Sequence, residues 1–424
     1  MNQSNNPWKQ DIPERPKYKE LTEPIVKKLG LEMENVKIVD TLTDLRNNPP
    51  NIVIAECIKT ISFVQNWFKH QTLKKKYKYV MGLGVYQQLF FDLKRNVKVL
   101  RPAGIKFKNI YNPYLGEDLT NKTLLVSRTG GIGDLCFVQP NLIYLKEKYP
   151  TCTINFACGP QYQAMVETWD CVDKVLDLPF HASYLFKSDY QAIFEGVVER
   201  CREAETTNAY NLFSRWLGLD LPDELLLPKQ KPKEDKITSC KEIMEEWGIK
   251  DKPILLQLRA SSPIRCPRIE IWTDIIDRLT DKGYVIAITD SPRQAEGVDA
   301  FIKTVKQQDK VFNFCKHSET LDYTIAMTAL SKGVVSTDSA LLHIAASLEI
   351  PAFGLYGPFP GEIRLKTYPL VDWIDAKRSC APCYQHGMKP CKHAGSGDPF
   401  SPCYDNIDIG DTVERIEKII QKEI

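Results

Sequence analysis

Residues 123–150 read TLLVSRTGGIGDLCFVQPNLIYLKEKYP, and the order of residue types in this stretch decides the fold. TLLVS is a short continuous apolar run, the pattern of a strand buried on both faces. RTGGIGD is a glycine turn, and LCFVQPNLIYLKEKYP reads as a helix that Pro150 ends. The same grammar repeats outward. CTINFAC is a strand, PQYQAMVE a helix, VDKVLDL and DYQAIFEG are strands, and NAYNLFSRWLGL is an amphipathic helix. A proline- and lysine-rich stretch, LPKQKPKEDK at 227–236, interrupts the pattern as a linker would. The alternation restarts with PILLQL and continues through EIWTDIIDRLTDKG, YVIAIT, PRQAEGVDAFIKTV, VFNF, LDYTIAMTALSK, GVVST and SALLHIAASLEI to PAFGLYG. Strands alternating with helices make a parallel sheet covered on both faces. The fold class is therefore α/β, with two doubly wound, Rossmann-like domains in succession facing a cleft.

On this pattern the chain divides into a flexible arm (1–34), a small α/β extension (35–118), a first Rossmann-like domain (119–226) and a linker region (227–250). A second Rossmann-like domain (251–375), a cysteine-rich lobe (376–406) and a C-terminal helix (407–424) complete it. Composition narrows the function. Lys+Arg 56 against Asp+Glu 54 leave a net charge of +2, too balanced for a protein that neutralises a nucleic-acid backbone, so no nucleic-acid partner is expected. A hydrophobic fraction of 43% over 424 residues supplies large cores and excludes global disorder. No apolar run approaches the ~18 residues of a membrane span. The polar start MNQSNNPWKQ lacks the apolar segment of a secretory signal, so a cytoplasmic location is expected.

The glycine turn holds the first group of candidate residues, Arg128, Thr129, Gly130, Gly131, Gly133 and Asp134. Glycines let a backbone turn tightly and approach a ligand, and the helix that follows offers free N–H groups. The turn is not a Walker A loop, which ends in Gly-Lys-Ser/Thr, nor a G-x-G-x-x-G fingerprint, since its spacing is G-G-x-G. That spacing disfavours a dinucleotide oxidoreductase. An aspartate here would repel phosphate. Asp134 has two readings: a general base that takes a proton from a hydroxyl, or a helix cap that complements the dipole.

The second group follows strands of the second domain. Ser261 and Ser262, with Arg265, come after PILLQL and suit a diphosphate, arginine through its planar fork. Asp338 and Ser339 follow GVVST and open the helix that carries His343. Ser339 and the helix start suit an anion, and Asp338 suits sugar or ribose hydroxyls. Gly357 closes the last strand with a turn. Each also has a plain structural reading: a cap for Asp338 or Ser339, a packed helix histidine for His343, a simple turn for Gly357.

Thirteen cysteines, an odd number, fit free thiols in a reducing compartment. Nine are scattered, several in apolar runs. The other four, Cys380, Cys383, Cys391 and Cys403, cluster with His386 and His393 in a proline- and glycine-rich stretch. Such a set suits structural zinc or iron, the metal supplying the folding energy that the stretch lacks. Free thiols and disulfides are the other readings.

Together, RTGGIGDLCFVQPNLIYLKEKYP and STDSALLHIAASLEIPAFGLYGP resemble family-9 glycosyltransferases, the heptosyltransferase-like group with the GT-B fold. The resemblance runs from about Leu124 to the C-terminus and leaves out the first ~100 residues. It implies transfer of a sugar, typically L-glycero-D-manno-heptose from ADP-heptose, to an acceptor hydroxyl with inversion. Asp134 would then be the base, Ser261, Ser262 and Arg265 the diphosphate contacts, and Asp338, Ser339 and His343 the donor segment. Two departures stand out. Arg265-Cys266-Pro267 replaces a lysine before Trp-Pro, and Ala340 replaces a common glycine. Some relatives, the autotransporter heptosyltransferases, carry iron on four cysteines. No DxD-type pair accompanies the donor segment, so no catalytic metal is expected. The implied partners are a nucleotide-sugar donor and a glycan, lipid-linked or protein acceptor, lipopolysaccharide core among them, with homo-oligomerisation left open. The alternative is a non-catalytic nucleotide-sugar or glycan-binding module of the same fold, and a metal-assembled scaffold has only the cysteines in its favour.

Overall fold

A computed structural model describes the backbone of residues 36–39, 52–55, 79–82 and 84–85, and then residues 112–178, 180–181, 184, 187–194, 197–198, 201–385, 391–395 and 400–422. The expected arm and His386 lie outside these residues. In chain order come strands β1 (Val36–Val39), β2 (Ile52–Ala55), β3 (Tyr79–Gly82), β4 (Gly84–Val85) and β5 (Thr123–Ser127). Helix α1 (Ile132–Lys148), β6 (Thr153–Cys158), α2 (Pro160–Val166), β7 (Lys174–Asp177), β8 (Phe180–His181) and β9 (Tyr190–Ile193) follow, then α3 (Ala209–Trp216) and α4 (Glu234–Glu246). The remainder is β10 (Ile254–Gln257), α5 (Ile269–Asp281), β11 (Ile286–Ile288), α6 (Ala295–Ile302), β12 (Val311–Asn313), α7 (Leu321–Leu330), β13 (Gly333–Thr337), α8 (Ala340–Ser347), β14 (Ala352–Tyr356), α9 (Glu362–Leu365), β15 (Val371–Asp375) and α10 (Ile409–Ile420).

These elements fall into two compact units. The first holds the described residues before Leu115 together with Lys122–Ser127 and Leu176–Ile193. In it the first three strands of the extension form a parallel sheet in the order β1-β2-β3. Strands β4 and β8 pair antiparallel, and β5 pairs parallel with β9 from Leu124↔Tyr190 to Ser127↔Ile193. Asp189 anchors the start of β5 by accepting from the Thr123 amide at 2.8 Å.

The second unit holds Leu115–Asn121, Arg128–Val175 and Phe194–Ile424. Its centre is a six-stranded, all-parallel sheet in the order β12-β11-β10-β13-β14-β15. The runs ILL, IAI and AFGLY are buried throughout because helices cover both faces. Trp272, Ile275, Ile276 and Leu279 of α5 pack on Ile254, Leu256 and Ile288, and Val413, Ile416 and Ile419 of α10 join the same core. The strand order reverses between β10 and β13. Ligands of open α/β sheets bind at such a switch point, beyond the carboxyl ends of the strands. The two donor-side segments of the sequence leave the sheet there.

Two features depart from simple pattern reading. Helix α1 starts at Ile132, inside the glycine turn, and continues past Pro140, which has no N–H for the carbonyl four residues back. The 227–250 span is not bare connection. Its first residues are tied down on both sides: the Lys229 amide donates to Gln139 Oε1 of α1 at 2.8 Å, and the Gln230 amide donates to the Ser347 carbonyl of α8 at 3.0 Å. Its charged second half is α4, whose Cys240 and Ile243 are buried.

Candidate donor and acceptor site

The glycine turn is built around a buried arginine. Arg128 is 2% exposed. Its Nε donates to the Gly130 carbonyl at 3.1 Å and its Nη1 to the Phe194 carbonyl at 2.7 Å. Its Nη2 donates to Asp134 Oδ2 at 2.6 Å, an ion pair in which the arginine side chain is 3% and the carboxylate 26% exposed. Asp134 lies in the first turn of α1, three residues after the N-cap Gly131. The carboxylate is thus oriented by Arg128 and keeps part of its surface in solvent. Gly131 has φ 76°, left-handed territory that glycine enters without strain. A β-carbon there would also run into the Asp134 carboxyl.

Gly133 meets a different demand. A β-carbon on it would lie 3.1 Å from His343 Cδ2, so the start of α1 comes within contact of α8 because this position has no side chain. His343 is buried, and its Nδ1 is hydrogen-bonded to Tyr368 Oη at 2.7 Å. Phe137 meets the imidazole edge-on with centroids 4.9 Å apart. Burial pushes the His343 pKa down to about 4, outweighing the opposing pull of Asp338. The imidazole is therefore neutral at physiological pH. The packed-histidine reading describes its environment well, yet the same ring stands one residue from Asp134.

At the switch point, Arg265 gathers the donor-side residues. Its Nη2 donates to Ser261 Oγ at 2.8 Å and its Nη1 to the Asp338 carbonyl at 3.0 Å. The Asp338 carboxylate lies 3.4 Å from Nη1. Ser261 is exposed and Ser262 buried. Ser339 takes the cap role: its Oγ accepts from the Leu341 amide and donates to Gln257 Oε1 at 2.7 Å. Gly357 is more than a turn. A β-carbon there would lie 2.8 Å from the ring of Tyr404, whose hydroxyl donates to the Arg265 carbonyl at 3.1 Å. Thr337 Oγ1 donates to the same carbonyl. Sequence reading missed Tyr404, Gln257 and Tyr368, which act across long separations and leave no local signature.

The structure thus brings Arg128, Gly131, Gly133 and Asp134 together at one helix start, and Ser261, Arg265, Asp338 and Ser339 together at the switch point. His343 and Gly133 adjoin. Thr129 and Gly130 line the turn. The cysteines form a looser group. Cys391 and Cys403 are buried and Cys380 and Cys383 half-buried. The Cys403 thiol is pushed up, first by burial and further by the charges of Cys391, Cys383 and Cys380. Among the described residues, however, no group of three or more His, Cys, Asp or Glu is gathered closely enough to hold a metal ion. The donor chemistry suits zinc or iron; the ligating geometry is not present among the described residues.

Residues 189–392 match the family described as glycosyltransferase family 9 (heptosyltransferase). The match begins beyond the glycine turn. Over 151 residues the chain is 26% identical to lipopolysaccharide heptosyltransferase 2 of Escherichia coli K12, covering 33% of this chain and 40% of that protein. The alignment therefore spans well under half of the curated relative. The structure of E. coli ADP-heptose lps heptosyltransferase II superposes with a TM-score of 0.55 at 15% identity, over 70% of this chain and 98% of that one. The iron-containing dodecameric glycosyltransferase TibC of enterotoxigenic E. coli H10407 does so with a TM-score of 0.50 at 12% identity, over 73% and 77%.

Two outcomes test this geometry. Gly131→Ala combines backbone strain with a collision at Asp134, and should cost about 1–3 kcal/mol in denaturant unfolding. The His343 imidazole resonances should keep neutral-form shifts from pH 8 down to about 5 and move only as pH nears 4, whereas a solvent-exposed histidine would titrate near 6.5. Residues 189–392 thus resemble glycosyltransferase family 9, within a chain that shares the α/β, parallel-sheet architecture of the GT-B heptosyltransferases.

Proposed function

We propose that the chain is an inverting glycosyltransferase that moves a heptose-like sugar from a nucleotide diphosphate sugar to an acceptor hydroxyl, with Asp134 as general base. The observation that carries this reading is the adjacency of two helix starts. Asp134, held by Arg128 at 2.6 Å, sits one residue from Gly133, which packs on His343 of the donor-side helix. A partly exposed carboxylate beside a donor site can accept the proton of an incoming hydroxyl, and a positioned base of this kind contributes roughly 10²–10⁴-fold. Arg128 fixes the direction of that carboxylate, so little reorganisation is needed as the proton moves.

On the donor side, Arg265 and the hydroxyls of Ser261 and Ser262 would take the diphosphate, whose charge grows as the sugar departs. Asp338 would accept from sugar or ribose hydroxyls. Neutral His343 would hold its place against Tyr368 without adding charge. The acceptor is a glycan, a lipid-linked sugar or a protein; the lipopolysaccharide heptosyltransferases among the relatives favour the first two.

A structural zinc or iron on Cys380, Cys383, Cys391 and Cys403 is part of the same proposal, supported by the clustering of the four cysteines in the sequence and by the iron of TibC. Bound there, the metal would only cross-link the C-terminal segment. That segment supplies Tyr404, next to Cys403, which braces Arg265.

Asp134→Asn keeps the shape and removes the base. It should abolish transfer while nucleotide-sugar affinity stays within about twofold of wild type by calorimetry. Near-normal turnover would refute the assignment. Elemental analysis of protein purified without added metal should find about one zinc or iron per chain, and removal of that metal should lower the melting temperature. A metal-free protein with an unchanged melting temperature would contradict the site.

A further inference from the structure

One arginine near the donor-side residues is absent from every motif above. Arg364 lies in α9, which follows β14 in the chain. It is 8% exposed, and its guanidinium stands 5.1 Å over the ring of Phe359. Its Nη1 is buried without a hydrogen-bond partner, and among the described residues it forms no ion pair. Tyr356 ends β14, fully buried, and its hydroxyl also has no partner. A third buried donor without a partner is Nε of Arg265.

These groups share one neighbourhood. Strand β14 lies beside β13 in register, Leu355 opposite Thr337, and the Asp338 amide donates to the Leu355 carbonyl at 3.1 Å. His343 and Tyr356 both sense the charges of Asp338, Arg364 and Arg265. The local charge is unbalanced: two guanidiniums face a single carboxylate, and the histidine is neutral. Burying a cation without an anion is costly, and so is leaving a buried hydroxyl unbonded. Native interiors leave few such groups, and three together point to a ligand that supplies oxygens.

We propose that Arg364, aided by the Tyr356 hydroxyl, is a second pyrophosphate-binding group, donating together with Arg265 to the diphosphate of the sugar nucleotide and of the nucleotide it leaves behind. The inference rests on the nucleotide-sugar reading given above and adds residues to it. Arg265 reaches the diphosphate from the β10 side of the switch point and Arg364 from the β14 side. Two planar guanidiniums then share the charge that develops when the glycosidic bond breaks. Arg364 remains without an anion until the nucleotide arrives.

The test uses the full chain, inorganic pyrophosphate as probe, and Arg364→Met, Arg364→Lys and Tyr356→Phe as variants. Calorimetry should show pyrophosphate binding to wild type and at least about tenfold weaker binding to R364M, the size expected for losing a hydrogen bond to a charged group. Ligand-free R364M should melt at or above the wild-type temperature, since a stranded buried charge has been replaced by an apolar chain of similar length. Should R364M fail to fold, R364K and Y356F carry the test, each expected to bind several-fold more weakly. Wild-type affinity in these variants would overturn the proposal while leaving the nucleotide-sugar reading in place. A ligand-free R364M that melts well below wild type yet binds pyrophosphate normally would assign Arg364 to packing, and equally overturn it. Wild type that binds neither pyrophosphate nor any nucleotide sugar would remove both readings together.

Discussion

Two missing side chains shape the site. At Gly131 the backbone adopts a left-handed turn into space that a β-carbon would contest with the Asp134 carboxyl. At Gly133 the absence of a side chain lets one helix start come within contact of the His343 ring. Remove either condition and the Arg128–Asp134 pair loses its seat, or α1 and α8 move apart. Everything proposed about transfer depends on this close approach, because a general base is useful only within reach of the hydroxyl it deprotonates.

Around that contact the second unit divides its labour. The six-stranded sheet supplies rigid strand ends, and the reversal of strand order between β10 and β13 brings Arg265 and Asp338 to neighbouring strands. Tyr404 arrives from far along the chain, packs against Gly357 and bonds the Arg265 carbonyl. The C-terminal segment thus helps to fix the loop that carries Arg265, which gives the cysteine-rich stretch a structural reason to be held in place. The charge pattern is uneven, with guanidiniums concentrated where a diphosphate would sit and a single carboxylate on the opposite helix start.

The fold was the most legible part of the sequence. Short apolar runs alternating with helical patterns identified the parallel α/β class, since burial on both sheet faces leaves no polar alternation to confuse the reading. The glycine turn and the Asp-Ser-x-x-x-His segment were visible as local motifs, and the structure brings them to adjoining helix starts. Less was legible where contacts are long-range. Charged residues hid α4 within a stretch that reads as linker, because its buried face amounts to little more than Cys240 and Ile243. Tyr404, Tyr368 and Arg364 act across the chain, and nothing beside them in sequence marks them. The ion pair of Asp134 with Arg128, a buried arginine six residues earlier, at 2.6 Å was not legible in the sequence.

The central claim is that this chain binds a nucleotide diphosphate sugar and transfers its sugar. A calorimetric screen of ADP-, UDP-, GDP- and CMP-sugars against the full chain tests it most directly. The account predicts saturable binding of a diphosphate-linked sugar, with ADP-heptose the leading candidate, and clearly weaker binding of the monophosphate-linked CMP-sugar. Failure of every nucleotide sugar to bind, or a preference for the CMP-linked one, would contradict it.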